Sequence, residues 1–251
     1  MAAEQGTQHW LLLRGLGRER RHWGDFTEQF SQAMPHAQLH CIDLPGNGCE
    51  YWQRSLASIP EMVDWLRNQP RPPGPVYLLG LSLGGMLAWH WMQHWPQEVA
   101  AVVMVNSSLA PLCAPWQRLK PAAVPCLIRA ILQSGTAREG AVFDLTCRNV
   151  KMRSRTVMQW RTYLDDAPVT RLNLLRQLWA AGGYRAGSAV PERPVLVASG
   201  TQDQLVNAHC STIMAEKWGA PLVVHPLAGH DLPYDQGEWL CEQIAAWVAN
   251  D

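Results

Sequence analysis

Short apolar runs recur along the chain near residues 9–13, 37–42, 75–79, 100–105, 194–199 and 221–225. Longer segments with apolar positions at helical spacing separate them, near 22–33, 59–68, 84–95, 207–218 and 236–249. The runs are apolar at consecutive positions, as in Val76-Tyr77-Leu78-Leu79, instead of alternating with polar residues. A strand of that kind has no solvent face, which is what a parallel sheet covered by helices on both sides requires. The pattern therefore predicts an α/β fold with a mostly parallel sheet of about six strands.

Between residues 110 and 190 this alternation stops. A proline-rich entry (Pro111, Pro115, Pro121, Pro125) leads into four helical patterns near 124–134, 137–149, 153–164 and 168–181. Residues 1–109 and 191–251 then read as one core, and 110–190 as a helical lid inserted after a strand. No internal repeat or low-complexity tract interrupts this organisation.

Composition agrees with a single large core: 251 residues, 47% hydrophobic and only 17% charged. The net charge is zero, yet its distribution is uneven, since residues 118–176 hold eleven basic and four acidic side chains, a balance of +7, against −7 elsewhere. A positive lid attracts an anionic substrate or partner through its local field, an acidic carrier protein for example. The plainer alternative is a set of solvated helix faces. Arg18, Arg20 and Arg21 would extend the patch. No nucleic-acid recognition motif accompanies it, so a nucleic-acid partner is not expected. Met1–Gln8 has neither a basic start nor an apolar core, and no apolar run approaches membrane-spanning length, so neither a signal peptide nor a span is expected. Seven cysteines with no C-x-x-C pair fit a reducing cytoplasm.

The candidate chemistry begins at Gly80-Leu81-Ser82-Leu83-Gly84, which follows the run at 76–79 and precedes a helical pattern. In a strand, sharp turn and helix, G-x-S-x-G marks a nucleophile, because the turn forces its central residue into an unfavourable conformation that only glycine neighbours permit. A serine hydroxyl is a weak nucleophile at neutral pH and needs a histidine base oriented by a carboxylate. Asp203 lies in the loop Gly200-Thr201-Gln202-Asp203 at the carboxyl end of a strand, where open α/β sheets place functional groups. His230, in Leu227-Ala228-Gly229-His230, falls between the last strand and the last helix. Asp203 is the expected acid and His230 the expected base. Asp231 adjoins His230 in the chain, so its side chain should diverge from the imidazole. His90 and His94 have the spacing of a helical metal pair but lack the adjacent Glu of a metalloprotease motif, and read as amphipathic residues of the helix after Ser82.

Together, Trp10-Leu11-Leu12-Leu13-Arg14-Gly15-Leu16-Gly17, Asp43-Leu44-Pro45-Gly46-Asn47-Gly48, Gly80-Leu81-Ser82-Leu83-Gly84-Gly85, Asp203 and Ala228-Gly229-His230 resemble α/β-hydrolases. The chain looks like small serine esterases of the pimeloyl-carrier-protein methyl esterase type. The resemblance implies the α/β-hydrolase fold with its lid; only eight residues precede the first strand, so the antiparallel hairpin that often opens this fold is not expected, and neither a cofactor nor a metal is. It implies a Ser82-His230-Asp203 triad with an oxyanion hole from the backbone N–H groups of Leu16 and Leu83. It further implies a hydrolase of carboxylic esters or thioesters acting on a small-molecule or carrier-bound acyl group. A non-catalytic relative that senses a small ligand is the alternative, and turnover of an activated ester separates the two. Where the family usually has His-Gly, this chain has Arg14-Gly15, so a guanidinium needs acceptors under that loop: either a structural ion pair or backbone contact, or a part in positioning substrate or loop. Trp116, Trp160 and Trp179 in the lid are candidates for core packing or for an apolar acyl pocket.

Overall fold

The computed structural model describes residues 7–187 and 189–250. The first six residues, where no signal peptide is expected, lie outside that range. Six strands form one sheet: β1 (Gln8–Leu13), β2 (Ala37–Cys41), β3 (Val76–Leu81), β4 (Val99–Val105), β5 (Val195–Gly200) and β6 (Leu222–His225). Their order is β2-β1-β3-β4-β5-β6 and every pairing is parallel.

Consecutive residues of each central strand go to opposite faces, and both faces are dry. Leu11, Leu78, Val102 and Val197 enter one core with helices α2 (Ile59–Arg67), α3 (Leu83–His94) and α9 (His209–Trp218). Trp10, Leu79, Val103 and Leu196 enter the other with α1 (Phe26–Ala33) and α11 (Gly237–Asn250). Fully burying one such side chain is worth about 1.5–3 kcal/mol, which is why the consecutive apolar pattern fixes the layering. The edge strands β2 and β6 depart from it, with mostly half-buried positions.

Between β4 and β5 the chain leaves the sheet and forms α4 (Pro115–Arg118), α5 (Val124–Leu132), α6 (Gly135–Thr146), α7 (Arg153–Asp166) and α8 (Arg171–Gly183). The remaining short helix, α10 (Leu232–Asp235), links the loop after β6 to α11. Both four-residue helices, α4 and α10, are too short to leave a periodic signal. The pattern at 22–33 covers a 3₁₀ turn, Arg20–Trp23, before α1. Phe143, Cys147, Val157 and Trp160 give the inserted helices a small core of their own.

Candidate active site

Strand β3 delivers Ser82 into α3 through a turn in which the serine adopts φ 57° and ψ −112°. This left-handed backbone is costly for a residue with a side chain, and the surrounding contacts hold it. The Ser82 N–H donates to the Val105 carbonyl at 2.9 Å. The Ser82 carbonyl accepts from the Ser107 hydroxyl at 2.8 Å. Glycine is required around the turn because backbones nearly touch: a Cβ on Gly84 would collide with the Leu13 carbonyl, and one on Gly80 with the Gly84 backbone. Gly15 brings the loop after β1 alongside, where a Cβ would stand 3.4 Å from that of Ser82.

From the loop after β6, buried His230 meets buried Asp203 with Nδ1 2.7 Å from Oδ2. Asp203 Oδ1 accepts from the N–H groups of Leu205 at 2.7 Å and Val206 at 2.9 Å, so the carboxylate is fixed at both oxygens. With Nδ1 engaged, the free ring nitrogen of His230 is Nε2. Ser82 and His230 line the same cavity, of about 290 Å³, without a direct hydrogen bond between them. Leu16 and Leu83 line it too, and Leu83 opens α3, where the first N–H groups have no carbonyl partner within the helix.

Asn106 was not evident from the sequence as a participant, yet it ties the acid and base loops together. Its Nδ2 donates to the Gly229 carbonyl at 2.9 Å and the His230 carbonyl at 2.8 Å, and its Oδ1 accepts from the Gly200 N–H at 2.9 Å. The available signal was a polar residue directly after the apolar run of β4; its φ of 44° is a second non-glycine left-handed backbone at the sheet's carboxyl edge.

Arg14 is committed to an ion pair. Its guanidinium donates to both oxygens of Asp231, at 3.1 and 2.6 Å, with both side chains buried, and lies 4.7 Å from the Trp23 ring centroid. Asp231 does diverge from the imidazole beside it, and the reason is this pair, which joins the loop after β1 to the histidine loop. Asp235 holds the same loop from below, accepting from the N–H groups of Gly229 at 2.8 Å, Arg148 at 2.9 Å and Asn149 at 3.1 Å. Burial raises its pKa against those hydrogen bonds.

The helices above the strand ends close the cavity with aliphatic side chains, among them Leu127, Ile131, Val142, Leu174 and Leu178. None of the three tryptophans considered for this wall is in it. Trp160 packs in the inserted helices' own core, while Trp116 and Trp179 are 66% and 75% exposed. Gln177 of α8, fully buried, accepts from the Gly17 N–H at 2.8 Å and donates to Asn47 at 3.0 Å and Ser55 at 2.9 Å. Buried Glu139 of α6 takes Arg18 at 2.5 Å, and Arg18 lies 4.2 Å from the Trp160 ring centroid. His90 is buried and meets the Tyr184 hydroxyl at 3.3 Å, so it is an internal contact and not part of an exposed polar stripe. Among the described residues no three His, Cys, Asp or Glu side chains converge as a metal site, and no helix is long and apolar enough to cross a membrane.

Residues 10–243 match the model of the alpha/beta hydrolase family. The chain belongs to that family. It is 35% identical over 242 residues to a pimeloyl-[acyl-carrier protein] methyl ester esterase of Klebsiella pneumoniae, covering 89% of this chain and 91% of that protein. Solved structures share the fold at lower identity. An enol-lactonase from Burkholderia xenovorans aligns with a TM-score of 0.77 at 16% identity, covering 97% and 92% of the two chains. An esterase from Thermogutta terrifontis aligns at 0.74 and 20% identity, covering 98% and 91%.

Proposed function

We propose that this alpha/beta hydrolase is a serine carboxylic ester hydrolase in which Ser82 is the nucleophile, His230 the general base and Asp203 the orienting acid. The observation that carries the reading is the His230 Nδ1 to Asp203 contact at 2.7 Å beside a serine held at positive φ in the same cavity. In the proposed reaction Ser82 Oγ attacks the substrate carbonyl as His230 Nε2 takes its proton, and Asp203 fixes the tautomer and stabilises the imidazolium. The N–H groups of Leu16 and Leu83 receive the developing oxyanion, each worth about 3 kcal/mol in comparable sites. His230 protonates the leaving alcohol, then activates the water that hydrolyses the acyl-enzyme. A thioester reacts by the same steps with a thiol leaving.

The proposed acyl group is anionic or carried on an acidic protein. One support is the relative whose name specifies an acyl-carrier-protein methyl ester. Another is charge. All four acids between 118 and 176 sit in arginine ion pairs, two of them with Arg18 and Arg21 from the loop after β1. Exposed Lys151 and Arg155 have no carboxylate partner among the described residues. The inserted helices act in this reading as a lid with a basic outer surface. Ser82→Ala removes on the order of 10⁶ in kcat for an activated ester and abolishes labelling by a fluorophosphonate. Labelling of wild-type protein at another residue overturns the assignment. Raising salt from 0.1 to 1 M, which shortens the Debye length from about 10 to about 3 Å, lowers kcat/KM for a carrier-bound ester and spares a neutral one. Equal effects on both remove the carrier from the proposal.

A further inference from the structure

Among the charged side chains of the cavity wall, most are already neutralised. Arg14 is paired with Asp231, Arg18 with Glu139, and Arg138 lies 3.8 Å from Glu139 while donating to the Val169 carbonyl at 2.9 Å. Two are not. Arg118, the last residue of α4, and Arg185, two residues beyond α8, line the same cavity and have no carboxylate partner among the described residues.

Arg118 is half-buried. One Nη donates to the Ala181 carbonyl at 2.6 Å in the last turn of α8, while Nε is buried with no hydrogen-bond partner. Burial lowers the pKa of its guanidinium; Cys113 and, less, Cys210 oppose that shift, and Arg185 adds to it. Arg185 is exposed, and aliphatic Leu119, Leu178 and Leu205 line the same cavity. Two like charges then line one apolar cavity, and the half-buried one keeps a donor, Nε, without a partner. An oxyanion between them satisfies both, because guanidinium groups match carboxylate and phosphate oxygens in a planar fork.

We infer that Arg118 and Arg185 form a subsite for an oxyanion carried by the substrate away from its scissile ester. The inference rests on the hydrolase reading above and narrows its substrate class to esters with an anionic far end. That end has two sources with the same chemistry: the free carboxylate of a dicarboxylic acid half-ester, or the phosphate of a phosphopantetheine-type arm.

The test compares esters of equal length whose far end is a carboxylate, a phosphate or a methyl ester, in wild type, Arg118→Gln, Arg185→Gln and Arg185→Lys. The expected result is a wild-type preference of about tenfold or more in kcat/KM for one anionic ester over the neutral one, expressed in KM. In both Gln variants that ratio collapses toward one, and Arg185→Lys retains part of it. Whichever anion shows the larger ratio identifies the source. A wild-type ratio near one, or a ratio unchanged in the Gln variants, overturns the subsite. Calorimetry on Ser82→Ala protein separates failure of the subsite from failure of the hydrolase reading. Binding of the anionic half-ester that weakens about tenfold in Arg185→Gln supports the subsite even if no ester is turned over. Equal binding of the anionic and neutral esters refutes it.

Discussion

Beneath the cavity, Gly80 and Gly84 let backbones come within contact of one another, and Asn106 bonds three backbone groups of two loops at the strand ends. Above it, α6 and α8 keep their places through side chains: Gln177 on Gly17, Asn47 and Ser55, Asn173 on Ser55, Glu139 on Arg18. The floor is positioned by close backbone packing that its glycines allow, with the Asn106 amide bonding backbone groups of the two loops beside it. The roof depends on particular polar side chains, each expensive to bury unless matched. Under the proposed function, this difference puts the chemistry on the floor and leaves the acyl wall to a layer that substitution can reshape.

The sharpest way to break the comparison is to alter the two aspartates that flank His230 in space. Asp203 belongs to the floor and touches the imidazole; Asp231 joins the loop after β1 to the histidine loop through Arg14. Asp203→Asn should lower kcat by about 10⁴ through the wrong imidazole tautomer, with little change in stability. Asp231→Asn leaves the buried Arg14 guanidinium without its counter-charge and should cost on the order of 3 kcal/mol in denaturant unfolding while lowering kcat far less. Steady-state rates and urea midpoints of the two variants check both. A reversed order of the kcat effects would make Asp231 the acid.

The floor was legible in the sequence and the roof only in outline, for the same reason. Consecutive apolar runs, Gly80-Leu81-Ser82-Leu83-Gly84 and the strand-end positions of Asp203 and His230 are local patterns, and the strands and long helices appear within a few residues of where they suggest. The helices at 124–132 and 171–183 were equally readable as helices. Which of their polar residues turn inward was not. Gln177 and Glu139 are buried because their partners Gly17 and Arg18 come from more than a hundred residues earlier, and no spacing rule announces such a pair. Of the two Trp alternatives, core packing holds for Trp160 and the acyl wall for none of the three. Size alone does not tell a wall residue from Trp179, which α8 turns to solvent. Arg14 signalled a need for an acceptor without naming Asp231.

A weaker perturbation tests the roof directly. Gln177→Ala strips partners from the Gly17 N–H, Asn47 and Ser55 together, and should cost about 2 kcal/mol in stability. Because Gly17 adjoins Leu16, its activity should fall by less than the roughly 100-fold that loss of an oxyanion donor brings. Urea unfolding alongside ester turnover measures the two effects. A loss of 10⁴ in kcat with unchanged stability would place Gln177 in the chemistry and dissolve the distinction between floor and roof.

The smallest effect is expected where floor and roof meet behind Ser82. His90 of α3 contacts the Tyr184 hydroxyl just after α8, and its pKa is pushed down to about 4, by burial first and by His94 second, against an opposing pull from Asp64. An imidazole whose pKa falls on folding favours the folded state only while it is neutral. That contribution is complete above its unfolded pKa of about 6.5 and drains away as the pH falls toward 4. Stability of the wild type should therefore decline from pH 7 to pH 4 more steeply than that of His90→Gln, which retains a hydrogen-bonding side chain without a titrating one. The difference between their urea midpoints as a function of pH isolates His90 from other groups that titrate in the same range. Parallel pH profiles would show that the imidazole ionises at no cost there, and that the contact with Tyr184 is loose enough to admit solvent.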